Sequence, residues 1–348
     1  MAQERKGESI MSHEIEITDG KAQMFYHGEV PWHGLGTKLE NPATSKEALV
    51  AAGLDWEVGL MPVFTKVPVA VDKDSKVTAK QIELPNFKAV VRNTDNRVYN
   101  IVHNRYTPIQ NKDSFDFFDA VVGSKEAIYH TAGSLHDGAR IWILAKLNGS
   151  LSIKGDEVEK YLLLSNSHDG SLARQMFFTP IRVVCANTLA MAENQKLSRV
   201  VYSRHTKNAN SADAVRSAQE ILGLTNRWYV EFKEKADYLA THMLPAGTMP
   251  LLLKESFGLI KVDVPAEDIW KPIQNDMATI TRLFEGEGKG LDNPTIKGTK
   301  WAVYNAITEY VDHYRSPRRK TEDSLLNSAW FGSGNMIKER ALDILMKD

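Results

Sequence analysis

Apolar runs rich in Val, Ile and aromatics, cut by clusters of turn formers, fill the first half of the chain, and helical periodicity takes over after about residue 211. Thr44-Ser45-Lys46-Glu47 has the form of a capping box and predicts a short helix to Ala52, ended by Gly53. Trp56 to Val71 alternates and is Val-rich, which predicts a strand pair with Pro62 and Pro68 at edges or bends, followed by a charged tip over Lys73 to Gln81. Phe87 to Arg92 and Val98 to Val102 flank Asn93-Thr94-Asp95-Asn96 as a β-hairpin. Ile128 to Leu135 and Ala139 to Leu147 flank His136-Asp137-Gly138 as a second one. Between them, Phe115, Phe118 and Val121 or Val122 recur at helical spacing, predicting a helix from Asn111 or Ser114 to Val122.

Tyr161 to Ala192 reads as strand, polar elbow (Ser165 to Ser171), second strand (Met176 to Val184) and a helical piece from Cys185 to Ala192. Ser211 to about Ala240 predicts one long helix with Ala214, Ala218, Ile221 and Leu222 as its buried stripe. Pro245, Gly247 and Pro250 then mark a boundary. Thr299 to Tyr314 predicts an amphipathic helix, with Trp301, Tyr304, Ile307, Thr308 and Val311 on one side and Asn305, Glu309, Asp312 and His313 on another. A last helix is expected over Asn335 to Met346. Met24 to Leu39, with three glycines and a proline, reads as an aromatic loop, and Gly286 to Gly290 as a flexible one.

The expected fold class is thus α+β: an antiparallel, hairpin-rich β core with packed helices, followed by a mainly α-helical C-terminal lobe. Residues 1–20 are polar and expected to be disordered, 21–245 form the α+β core domain, and 246–348 the helical lobe.

With 348 residues, 43% of them hydrophobic, the chain can bury a sizeable core. A formal net charge of −1 argues against a generally basic nucleic-acid binder, so any such surface has to be local. One cysteine, Cys185, rules out an internal disulfide framework, and the absence of an apolar N-terminal segment points to a reducing cytoplasm. No window approaches the length of a transmembrane helix, so no membrane association is expected. No cofactor is expected either.

Three groups of residues carry candidate chemistry. In the elbow, His168 and Asp169, with Arg182 following, suit acid–base work on a phosphate-containing substrate, with His168 as acid or base, Asp169 orienting it and Arg182 clamping the anion. Most such turns are merely solvated. From Ser171 to Asn210, Arg174, Arg182, Lys196, Arg199, Arg204 and Lys207 face the single acid Glu193, and Tyr202 lies among them. Cations alternating with Val200, Val201 and Tyr202 can line a groove that follows a phosphate backbone, or form a solvated strand face. Glu309 and His313, one helical turn apart, are the remaining metal candidates, although no third ligand stands at a recognised spacing.

Several of these pieces together resemble a family of phage, prophage and plasmid proteins known as domain of unknown function 932. The matching stretches are PWHGLG (Pro31 to Gly36), YTPIQN (Tyr106 to Asn111), TAGSLHDGARIW (Thr131 to Trp142), LLLSNSHDGS (Leu162 to Ser171), RVVCANT (Arg182 to Thr188) and WAVYNAITEYVDH (Trp301 to His313). The family has no settled activity. Its setting among phage replication and recombination genes implies a role in DNA metabolism, and its hairpin-rich core followed by helices is loosely similar to phage single-strand annealing proteins.

The expectation is a binding module that holds single-stranded DNA, as a possible homo-oligomer, through Arg174, Arg182, Arg199, Arg204, Lys207 and Tyr202. The alternatives are an enzyme built on His168, Asp169 and Arg182, and a non-catalytic partner for another protein, docking through an exposed face of the C-terminal lobe.

Overall fold

The continuous apolar run Ile141-Trp142-Ile143-Leu144-Ala145 needs burial on both faces, and the architecture follows from it. In the computed structural model, which describes residues 15–28, 35–71, 77–122, 125–182, 187–188, 199–201, 211–259, 269–315, 328–330 and 332–347, this run is the middle of the largest sheet. That sheet is built from β3 (Met24–His27), β4 (Thr37–Leu39), β8 (Ala127–Leu135), β9 (Arg140–Ile153), β10 (Asp156–Ser167), β11 (Gln175–Arg182), β12 (Asn187–Thr188) and β13 (Arg199–Val201). The strands run in the order β12-β11-β10-β9-β8-β3-β4, and β13 also pairs with β11. Every pairing is antiparallel except β3 with β4. A two-stranded ribbon, β1 (Ile17–Thr18) with β2 (Lys21–Ala22), precedes it. A separate sheet of order β5-β6-β7 is formed by β5 (Val58–Val71), β6 (Val77–Arg92) and β7 (Val98–His103).

One face of the large sheet, carrying Ile141, Ile143, Leu162, Leu164 and Phe178, is covered by helices. The helices are α1 (Ser45–Ala51), α2 (Asn111–Val122), α3 (Ser211–Thr241), α4 (Met249–Ser256), α5 (Lys271–Arg282), α6 (Lys300–Glu309) and α7 (Ser333–Leu345); α1, α2, α3 and α6 meet the sheet, and α4, α5 and α7 pack with α6 and with one another. A single apolar cluster runs from Phe25 and Trp56 through the sheet to Trp228, Trp301 and Leu345, so no break in packing occurs at residue 245. The opposite face buries Met24, Leu135, Trp142, Leu144, Tyr161 and Leu163 against Ile15, Leu35 and Trp330.

The α+β class, the antiparallel sheets and the helix-rich C-terminal part agree with the sequence reading, as do both hairpins. The Thr44 box closes as expected: the Thr44 amide donates to the Glu47 carboxylate at 2.9 Å and the Glu47 amide to the Thr44 hydroxyl at 3.3 Å. His136, Asp137 and Gly138 all take positive φ, as a tight hairpin turn requires.

Several local expectations are corrected. Pro62 and Pro68 do not divide a strand pair: β5 runs through both, with ladder irregularities beside each, and β6 is already a strand at Val77. Ile15 and Glu16 are buried and Ile17–Thr18 form a strand, within the segment expected to be disordered. Residues 24–27 and 37–39 are strands: Met24, Phe25 and Tyr26 are buried on the sheet, whereas β4, with Thr37 and Lys38 exposed, joins it through parallel backbone pairing with β3. Asn187 and Thr188 pair with β11 as a strand where a helix was expected; the rest of Cys185 to Ala192 lies outside the described residues. Of the stripe expected on α3, Leu222 packs against the core and the side chains of Ala214, Ala218 and Ile221 are not described; the helix's buried residues include Trp228, Tyr229, Phe232, Ala236 and Leu239.

The expectation for Thr299 to Tyr314 fails most instructively. Every residue of α6 is buried, Asn305 and Glu309 included, and the chain then widens into a π-helical turn at Tyr310–Tyr314. Polar residues on that side meet protein, not water. Asp312 receives a hydrogen bond from the Lys338 ammonium of α7 at 2.9 Å, and Lys338 is 1% exposed. Burial lowers the Lys338 pKa while Asp312 opposes the shift. Replacing Asp312 by Ala takes away the counter-charge of a buried ammonium and should cost about 3–5 kcal/mol, read as a loss of unfolding free energy in denaturant titration.

Candidate functional site

Strand β10 carries the polar elbow further into regular structure than the sequence suggests. Ser165, Asn166 and Ser167 pair with Trp142, Ile141 and Arg140, and all three side chains are buried. The Ser165 hydroxyl donates to the Ile141 carbonyl at 3.1 Å, and the Ser167 hydroxyl donates to Leu172 O and accepts from Leu172 N, both at 2.9 Å. The turn itself is therefore short. Asp169 closes it, accepting from the Ser171 amide at 2.9 Å.

His168 is 1% exposed. Its ring lies 5.1 Å from Trp56 and stacks 5.9 Å from Tyr99, and its Nε2 stands 2.8 Å from Asn111 Oδ1. Asn111 Nδ2 donates to the Leu54 and Trp56 carbonyls, which leaves Oδ1 as acceptor and puts the His168 proton on Nε2. Nδ1 then carries a bare lone pair in a dry environment, with no hydrogen-bond partner among the described residues. Burial holds the His168 pKa at about 4; Asp169 pulls upward, and Arg92 adds to the lowering.

Beside it stands an ionic junction. Arg92, at the end of β6, donates to Glu16 Oε1 at 2.7 Å and bidentately to Asp95 at 2.9 and 2.6 Å, with its guanidinium 5.0 Å over the Trp56 ring. The Ser134 hydroxyl donates to the other Glu16 oxygen at 2.8 Å. Bonding to Asp95 raises the Arg92 pKa and, in turn, holds Asp95 well below the usual carboxylate range. Gly138, at φ +87°, lies against this group: a Cβ there would come within 2.7 Å of Arg92 Nη1.

The elements that supply His168, Asp169 and Arg182 do not bring them to one pocket. Arg182 pairs with Val158, ten residues along β10 from His168, or about 33 Å at strand rise. His168 is walled in by Trp56 and Tyr99, so the arrangement of acid–base residue and anion clamp needed for phosphate chemistry is absent.

Of the basic positions, Arg174 immediately precedes β11, its guanidinium 5.0 Å over Phe117; Arg182 ends β11; and Arg199 in β13 pairs with Phe177. All three backbones follow β11, which among the described residues is flanked on its outer side only by the short strands β12 and β13. Tyr202, Arg204 and Lys207 lie outside the described residues, as do the side chains of Arg182 and Arg199. Glu309 is committed elsewhere: its carboxylate accepts from the Lys289 amide at 3.0 and 3.3 Å, which pins the Gly286 to Gly290 loop expected to be flexible. No three His, Cys, Asp or Glu side chains converge on a metal position among the described residues.

A polar cluster that no sequence motif announced sits on β8–β10. His130 is an extra residue in β8, between the Tyr129–Ala145 and Thr131–Leu144 pairs, and the β9–β10 ladder is interrupted nearby, between Glu159 and Tyr161. Such irregularities re-aim side chains. Glu159 accepts from Lys146 and, at 2.7 Å, from the Tyr161 hydroxyl, whose ring meets His130 edge-on at 5.1 Å. Burial and then Lys146 depress the His130 pKa to about 4. For Glu159, burial pushes upward, but the bonds from Lys146 and Tyr161 prevail and its pKa falls. On the helix-covered face, a groove of about 590 Å³ lies between α3 and β9–β10, where Lys160 and Lys233 are matched by Glu234 and Asp237, leaving no charge excess to attract an anion.

The model of the family described as "Domain of unknown function (DUF932)" matches residues 98–330. Two Escherichia coli (strain K12) proteins, UPF0380 protein YfjQ and UPF0380 protein YafZ, are each 29% identical over 157 residues, covering 42% of this chain and 54% of the relative. The chain thus spans about half the length of these curated relatives. No solved structure matches it significantly.

Both depressed histidines make stability depend on pH. An unfolded histidine binds its proton near pH 6.5, whereas the folded sites resist until about pH 4, so acid favours the unfolded chain. The contribution is complete above pH 6.5 and drains as pH falls toward 4, the loss reaching about 2 kcal/mol per histidine at pH 5. His168→Gln retains a donor toward Asn111 but cannot titrate. Its stability should fall by about 2 kcal/mol less than that of the wild type between pH 8 and pH 5 in urea unfolding, and an equal fall would refute the assignment.

Proposed function

We propose that this chain, which belongs to the DUF932 family, is a nucleic-acid-binding protein that holds single-stranded DNA along the outer edge of its large sheet. The supporting observation is the placement of Arg174, Arg182 and Arg199 along β11 and its short partner β13. Residues 174 to 182 extend over about 26 Å of that edge, enough for several nucleotides of backbone contact. Arg204, Lys207 and Tyr202 follow β13 directly in sequence and add two cations and an aromatic ring suited to base stacking. A total charge of −1 is compatible with this reading because phosphate contacts are local, and binding of this kind needs no base readout. The seclusion of His168 favours a binding role over catalysis at the elbow. A place in recombination or replication, and a phage or plasmid setting, belong to the same proposal.

A labelled oligonucleotide titrated with the protein at several salt concentrations tests it. Binding should weaken steeply with salt, and reversing Arg199 and Arg204 to Glu should weaken it at least about tenfold and flatten the log–log salt slope by about 1.4, the value for two lost single-strand phosphate contacts. Binding that ignores salt or these reversals would remove the proposal.

A further inference from the structure

We infer that the outer part of the β5–β6 ribbon is an arm that clasps a second copy of this chain, a surface separate from the β11 edge. Strand β7 covers β6 only from Phe87 to Val91. Beyond it, among the described residues, the ribbon continues as two strands alone, Phe64 to Val71 against Val77 to Glu83. Two-stranded ribbons with both faces in water are marginally stable, and this one is furnished like a core strand pair. Phe64, Val67, Val69 and Ile82 are all exposed, with Met61 and Phe87 at the base.

The register divides these side chains between the faces. Residues opposite each other in an antiparallel pair point the same way. Phe64, opposite Glu83, occupies one face, and Ile82, opposite Thr65, occupies the other together with Val67, opposite Lys80. Apolar groups on both faces call for an occupant that grips the arm from two sides. Edge-on addition of a strand to β5 is disfavoured, because Pro62 and Pro68 lack amide hydrogens and fit a ladder only where the missing donor faces outward.

Area points to a second copy. The arm is about 25 Å long and about 10 Å wide, or roughly 250 Å² per face. One face against one face buries too little for a stable contact. Two arms exchanged about a twofold axis, each held on both faces, bury about 1,000 Å² from the arms alone and about twice that once the surfaces receiving them are counted, within the standard range of a stable interface. The charge of the arm fits this better than it fits a polyanion: over Pro62 to Lys88, five lysines are set against three acids, and Lys88 is already bonded to Glu83.

Light scattering on the full chain after size exclusion should give at least twice the single-chain mass; a single-chain mass across the micromolar range would overturn the inference. Val67→Lys with Ile82→Lys changes only exposed positions and should return the mass to one chain while leaving the circular dichroism spectrum unchanged. Phe64→Lys, on the other face, should do the same. Persistence of the oligomer in both variants would show that the arm is not the contact. Loss of oligonucleotide binding in the lysine variants without a change of mass would make the arm a nucleic-acid element and also overturn the inference. Charge reversal at Arg199 and Arg204 should leave the mass unaltered, so failure of DNA binding and failure of self-association are read separately.

Discussion

The buried pairing of Arg92 with Glu16 ties together parts of the chain that lie far apart in sequence. Arg92 ends the long strand of the small sheet, Glu16 lies in the N-terminal segment, Ser134 belongs to the large sheet and Asp95 to the β6–β7 turn. A guanidinium and a carboxylate drawn out of water are costly unless every oxygen and most N–H groups find partners. Here the two Glu16 oxygens and both sides of the guanidinium fork do so. Such pairs add little net stability over an apolar filling but penalise every misplacement of the elements that supply them. The orientation of the small sheet on the large one is specified in this way, and His168, Trp56 and Tyr99 fill the adjoining space.

This junction changes the meaning of the polar elbow. Ser165, Asn166, Ser167 and His168 looked like ligand-facing groups because polar residues in a turn are ordinarily wet or functional. They turn inward instead, toward backbone carbonyls and Asn111. The same inversion occurs in the C-terminal lobe, where Asn305, Glu309 and Asp312 satisfy neighbours inside the protein. In both places hydrophobic periodicity underestimates burial, since a polar residue with a committed partner can occupy a core position at modest cost.

Local chemistry made much of the fold legible. The Thr44 capping box, the Asp137-Gly138 turn and the Phe115/Phe118 spacing each act within a few residues, and each element formed where expected. Long-range pairing was not legible. Nothing near Phe25 or Thr37 indicates that these strands will extend a sheet whose other members begin ninety residues later, and the His130 and Glu159 irregularities exist only as relations between strands. The local surplus of arginine and lysine was legible; that Arg174, Arg182 and Arg199 fall along β11 came from register, which no local pattern encodes.

The phenol of Tyr229 stands in for a missing strand neighbour. Close to the ladder interruption in β10, its oxygen accepts from the Tyr161 amide at 2.7 Å and donates to the Tyr161 carbonyl at 2.9 Å. A side chain on α3 thereby bonds both main-chain groups of a strand residue, and helix and sheet share one buried polar atom. Sliding α3 by even one residue along the sheet would strip both groups at once, so any large movement in this molecule must hinge elsewhere and carry β10 and α3 as a unit.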